Sequence, residues 1–264
     1  MSSGSQDPSE DPTDVDQNGS AYQTAAPSSY VNPQYLPGGP KSLSGISIRA
    51  YGLGIAFGCS AIASAELAYS GYGIWRAPFF VLVLSVFHFL EFDSTARYNP
   101  SDAGTTSFLL LSNGIAYTVA HATAMTEVLL RYWLRSRYKP KWLQWPLALP
   151  PLLPDVSCAI PICLGLCLIV VGQAVRRQAM HKAKSNFNHL VQFYKKSDHQ
   201  LVQDGIYAFS RHPSYFGFYW WALGTQLVLG NRFCFAAYAV VLWKFFSHRI
   251  TREYQSQAPE IADN

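Results

Sequence analysis

Arg211-His212-Pro213-Ser214-Tyr215 sets a guanidinium, an imidazole, a hydroxyl and a phenol side by side, just where a polar segment gives way to an apolar one. Residues His212 to Asn231 contain no Asp, Glu, Lys or Arg, a run long enough to cross a bilayer as a helix. Ionisable groups at such a mouth are costly unless they are paired or used. Arg249 and Glu253 lie four residues apart, so they share one face if a helix continues that far. The residue set can hold a carboxylate, amine or hydroxyl ligand beside a greasy one. It contains no nucleophile-and-base arrangement and no cluster with metal-ligand spacing.

The elements that must position these residues are helices. Of the 264 residues, 49% are apolar and only 14% are charged, well below the roughly 25% of soluble domains. The chain is split. Residues 1–45 are rich in Ser, Pro, Asp and Gln and read as a disordered arm. From residue 46 on, apolar spans alternate with short polar connections. Six spans are predicted, at about 46–69, 77–93, 105–128, 156–175, 213–230 and 233–247. Glu91 and Asp93 interrupt the second. Gly230-Asn231-Arg232 separates the last two, which predicts a tight hairpin with Arg211-His212 and Lys244–Arg249 at the same end. Pro140 to Pro154, with Trp142 and Trp145, reads as a stretch that lies on the interface or dips in without crossing. The fold class is all-α: a multi-pass transmembrane bundle ending in a helical hairpin.

With six spans, 13 of the 20 Lys and Arg residues fall on the side of both termini, which the positive-inside rule makes cytosolic. The net charge of +4 is therefore read as orientation, and nucleic-acid binding is not expected. The five cysteines lie in apolar spans without a C-x-x-C pair and are read as buried hydrophobes. No secretory signal is expected from the first twenty residues. Glu66, His88, Glu91, His121 and Glu127 lie in or beside spans and are expected to pair inside the bundle. Trp220 and Trp221 are expected to pack, and Gly52, Gly54, Gly58 and Ala61 to let helices approach closely.

Longer motifs surround the mouth: N-F-N-H-L-V-Q at 186–192, L-V-x-x-G-I-Y at 201–207, S-R-H-P-S-Y-F-G-F at 210–218, W-A-L-G-T-Q-L at 221–227 and L-W-K-F-F-S-x-R at 242–249. Upstream stand F-H-F-L-E-F at 87–92 and T-A-R-Y-N-P at 95–100. Over residues 46–253 the chain resembles the isoprenylcysteine carboxyl methyltransferase family, in a fungal-looking version. The resemblance implies a membrane domain at 46–253 in the endoplasmic reticulum, and a divergent tail at 254–264. It implies S-adenosyl-L-methionine as cofactor and a cytosolic cofactor pocket. The reaction implied is methylation of the C-terminal carboxylate of prenylated cysteine. The partners implied are prenylated protein C-termini, of small GTPases or the fungal lipopeptide pheromone class, together with membrane lipid.

By matched position, the resemblance gives the cofactor Gln192, His199, Gln200, Leu201, Val202, Tyr207, His212, Pro213, Ser214, Tyr215 and Glu253. It gives the substrate Arg249. An α-carboxylate with a pKa of about 3.3–3.7 is already ionised at neutral pH, so no general base is required. Family members carry a second acid after the position of Glu253, then an apolar stretch. Here Tyr254 follows and Pro259 opposes a longer helix, so the closing segment is expected to be missing. Two alternatives stay open on the sequence. One is a phospholipid N-methyltransferase, since R-H-P-x-Y-x-G is shared with such enzymes. The other is a catalytically inactive membrane protein that binds prenyl tails or partner helices.

Overall fold

A computed structural model describes residues 32–110, 112–138, 156–187 and 202–257. Among the described residues six α-helices follow in order: α1 (Leu43–Tyr69), α2 (Arg76–Tyr98), α3 (Ile115–Tyr138), α4 (Val156–Ala183), α5 (Pro213–Leu229) and α6 (Phe233–Gln257). The remaining elements are short 3₁₀ turns, and no strand occurs among the described residues. Among the described residues three helical stretches are long and apolar enough to cross a membrane: Leu43–Tyr69, Gly73–Tyr98 and Ala159–Asn186. The chain is thus an all-helical membrane protein. Residues 32–42, which the sequence assigns to the arm, contain a 3₁₀ turn at Pro33–Tyr35, and Pro40 O accepts Thr105 N–H at 2.7 Å. The proposed interfacial stretch at 140–154 lies outside the described residues.

The third span is shifted from its predicted place at 105–128. Thr105–Phe108 forms a 3₁₀ turn, Leu109 (φ 55°) and Gly114 (φ 81°) turn the chain, and α3 begins at Ile115. The apolar run at the predicted start is buried in protein: Phe108 is inaccessible and stacks on Phe92 at 4.3 Å. The second span is longer than predicted because its acids have partners on α4. Arg176 donates to both oxygens of Glu91, from Nε at 2.5 Å and Nη2 at 2.7 Å, and Arg177 pairs with Asp93 at 2.8 Å. A carboxylate neutralised in this way no longer ends an apolar helix.

The α4–α5 contact is the tightest in the bundle, and glycine makes it so. A Cβ on Gly172 would lie 2.6 Å from Gly217 O and from Trp221 N, and one on Gly217 would lie 2.6 Å from Gly172 O. Gly165 and Gly224 repeat the contact one heptad away, so backbone packs on backbone. Gly52, Gly54 and Gly58 do not play this part: each faces open space, with nothing within 4 Å of a Cβ. Trp221 packs as expected, stacked on Phe87 at 4.3 Å in the core. Gly230 ends α5 in the left-handed region (φ 71°), which glycine adopts without steric cost.

Candidate active site

Pro213 occupies the first turn of α5, where its missing N–H costs nothing. His212 caps the helix through its carbonyl, which accepts Tyr215 N–H and Phe216 N–H at 3.2 Å. The hairpin returns α6 alongside, and α6 runs on to Gln257. Arg249 and Glu253 therefore do share a helical face, with Arg249 Nε 3.5 Å from Glu253 Oε1. Glu253 is the hub. The Tyr215 hydroxyl donates to its Oε1, and His212 Nδ1 lies 3.5 Å from its Oε2. The two ends of the hairpin thus meet, as the short connection requires.

Aromatic rings build the wall around this hub. His212 lies parallel to Tyr215 at 5.5 Å, Tyr215 stacks on Phe246 at 4.9 Å, and the Arg249 guanidinium lies 5.4 Å from the Tyr215 ring centre. Arg211 donates to the Tyr254 hydroxyl at 3.3 Å. Burial lowers the pKa of His212, against the pull of Glu253 and with the push of Arg211, so the ring is neutral at neutral pH. Its Nε2 is buried and has no hydrogen-bond partner among the described residues. A buried neutral imidazole nitrogen without a partner fits a polar ligand group.

Behind this wall, Ser214 is buried, and its Oγ accepts Arg176 Nη1 at 2.9 Å. The Glu91–Arg176 pair (1% and 7% exposed) therefore links α2 and α4 to the first turn of α5. Sequence reasoning singled out Glu91 but not Arg176. The signal was an acid inside one span and an arginine pair closing another. Tyr207 donates to Ala179 O at 3.4 Å, and burial pushes its hydroxyl up to about 12. Lys182 pairs with Asp204 at 2.7 Å and holds that carboxyl below its ordinary pKa. These two contacts fasten the 202–209 segment, with half-buried Val202 at its start, to the end of α4. Gln192, His199, Gln200 and Leu201 lie outside the described residues.

A cavity of about 480 Å³ opens from the hub between α3 and α6. Arg249, Tyr215 and Arg176 line it together with Ala116, Ala120, Phe218, Val241, Leu242 and Phe245. Among the other intramembrane polar groups, His88 Nδ1 donates to Phe108 O at 2.8 Å, and its Nε2 accepts the Tyr117 hydroxyl at 3.2 Å. His121 Nδ1 meets the Tyr238 hydroxyl at 3.0 Å. Glu127 accepts the backbone N–H groups of Arg232 and Cys234 at 2.6 and 2.8 Å, which caps α6. His88, Glu91, His121 and Glu127 thus pair inside the bundle as expected, whereas Glu66 does not among the described residues, since it is exposed on α1.

The fold and site together define an intramembrane protein that sets a charged, aromatic pocket at the rim of an apolar cavity. The Isoprenylcysteine carboxyl methyltransferase (ICMT) family model matches residues 164–258. The protein-S-isoprenylcysteine O-methyltransferase of Saccharomyces cerevisiae is 40% identical over 79% of this chain and 80% of its own length. That of Homo sapiens is 36% identical over 79% of this chain and 66% of its own. A solved structure of the eukaryotic intramembrane Ras methyltransferase ICMT superposes with a TM-score of 0.66 at 31% identity, over 80% of this chain and 68% of that one. The chain belongs to the isoprenylcysteine carboxyl methyltransferase family.

Proposed function

We propose that this chain methylates the C-terminal carboxylate of prenylated cysteine in processed proteins, with S-adenosyl-L-methionine as methyl donor. The observation that carries the reading is the position of Arg249. It lines the apolar cavity and also contacts the Glu253–Tyr215–His212 cluster, so it stands where an oily tail ends and a polar site begins. The prenyl tail lies in the cavity between α3 and α6, and the carboxylate reaches Arg249. A guanidinium has five N–H donors in a planar fork, enough to serve two carboxylates at once. Glu253 can therefore hold Arg249 in place while the substrate is bound.

The cofactor fits the residues present. Glu253 suits an amino group or ribose hydroxyls, and the unpartnered Nε2 of His212 suits a polar substituent. By matched position Tyr207, Pro213, Ser214 and Val202 are assigned to the cofactor as well, as are Gln192, His199, Gln200 and Leu201, which lie outside the described residues. The cofactor supplies a methyl group already activated by positive sulfur. What remains for the chain is alignment and exclusion of water. Positioning of this kind is worth up to about 7–11 kcal/mol. Arg249 orients the acceptor oxygen, the stacked rings close one side, and the apolar cavity keeps the carboxylate poorly solvated. No residue has to remove a proton from an acid that is already ionised.

The finer architecture follows the same reading. All six helices cross the endoplasmic reticulum membrane, both termini face the cytosol, and the cofactor pocket opens there. The partners are prenylated C-termini of small GTPases or of lipopeptide pheromones. The test is labelled-methyl transfer by the purified chain to a prenylcysteine analogue, beside phosphatidylethanolamine. Transfer to the analogue alone is expected, and transfer to the phospholipid instead sinks the reading. Arg249→Ala is expected to abolish turnover while calorimetry shows cofactor affinity largely kept.

A further inference from the structure

A substrate of this kind has three parts: an oily tail, a carboxylate and a polypeptide that must leave toward water. The apolar cavity and Arg249 account for the first two. A second cavity of about 500 Å³ adjoins the first, and its lining includes Lys41, Tyr98, Asn99, Asp102, Thr106 and Lys184. Leu109, Asn113 and Phe187 line both cavities, so the two adjoin across these residues. The shared border is built from named bonds. Asn113 Nδ2 donates to Leu109 O at 3.1 Å, and Asn99 Nδ2 donates to Phe187 O at 3.3 Å and to Asp102 Oδ2 at 2.8 Å. Its walls of amides and hydroxyls match the donors and acceptors of an extended backbone.

The charge of this cavity is positive. Among the described residues Lys41, Lys184 and Asp102 are its formally charged lining residues. Asp102 is engaged by Asn99, whereas neither lysine has a carboxylate partner among the described residues. Both lysines are held by the fold. Lys41 follows Pro40, whose carbonyl accepts Thr105 N–H and the Thr105 hydroxyl. Lys184 turns the chain out of α4 in the left-handed region (φ 49°), where few residues other than glycine are found.

We propose that this polar cavity seats the polypeptide residues immediately before the prenylated cysteine, and that Lys41 and Lys184 make the site prefer acidic over basic residues there. The inference rests on the function proposed above. Like charges brought together at an interface disfavour the wrong partner. One or two exposed pairs translate into roughly a two- to fivefold preference.

The test uses the purified full chain and three substrates: a prenylcysteine analogue without peptide, a prenylated peptide with Asp before the cysteine, and the same peptide with Lys. The unaltered chain is expected to show a higher kcat/KM for the Asp peptide. Lys41→Glu with Lys184→Glu is expected to reverse that order, and Lys41→Gln with Lys184→Gln to erase it. Turnover of the bare analogue should stay unchanged in both variants, which also reports that they fold. Equal use of the two peptides by the unaltered chain overturns the proposal, as does an order that survives charge reversal. So does a variant whose rate changes its dependence on anionic lipid in the vesicle but not on the peptide, since the cavity would then be a headgroup site. Failure to methylate the bare analogue overturns the parent reading and this one with it. Methylation of the analogue with charge-blind peptides overturns this one alone.

Discussion

His212 is the residue on which the hub depends for its charge state. Its ring lies against Tyr215 and faces Glu253, and burial lowers its pKa from the free value of about 6.5. A histidine that binds its proton less readily when folded makes the unfolded chain the better base. Stability therefore rises with pH through this window. It is fully present above about 6.5 and is lost as pH falls from there toward the depressed folded value. Glu253 opposes the shift and Arg211 reinforces it. His212→Asn keeps a polar side chain that does not titrate. Thermal melts of detergent-solubilised protein across mildly acid pH are expected to lose part of their slope in this variant. An unaltered slope would mean that the acid sensitivity arises elsewhere.

Between residue and molecule stand the helix contacts that aim the site. Ser214 can meet Arg176 because Gly172 and Gly217 let α4 and α5 touch through their backbones. Gly172→Val puts side-chain atoms where Gly217 O and Trp221 N already lie. The expected result is a loss of about 1–3 kcal/mol or more in stability and a fall in methyl transfer as the first turn of α5 shifts. Gly52→Val, which meets nothing within 4 Å, is the matched control and should leave both unchanged. This pair of glycines also marks what the sequence could and could not show. Arg249 and Glu253 were legible because spacing of four is a property of one helix. The start of α5 was legible because Pro213 announces it. A small-residue stripe names no partner, so Gly52, Gly54 and Gly58 read the same as Gly165 and Gly172. Phe108 reads as part of a span until Phe92 is seen to cover it. Arg176 reads as a span end until Glu91 is found on another helix.

At the scale of the whole molecule, the hairpin sets how far the site lies from the opposite membrane surface. Its turn is fixed to α3: Asn231 Nδ2 donates to Ala124 O at 2.9 Å, and Glu127 caps the start of α6. From Phe233 to Arg249, α6 advances roughly 24 Å at about 1.5 Å per residue, against a hydrocarbon core of about 30 Å. A hub at the cytosolic surface therefore puts Arg232 near the lumenal one. In a cysteine-free background, Ser210→Cys and Arg232→Cys, both at exposed positions, test this with a membrane-impermeant maleimide. Ser210→Cys is expected to react from the cytosolic side of sealed vesicles, and Arg232→Cys only after the vesicles are opened. If both react from one side, α5 and α6 form a re-entrant pair and the six-crossing topology falls. The contacts among His212, Arg249 and Glu253 would survive that outcome, because they depend on the hairpin closing and not on what it crosses.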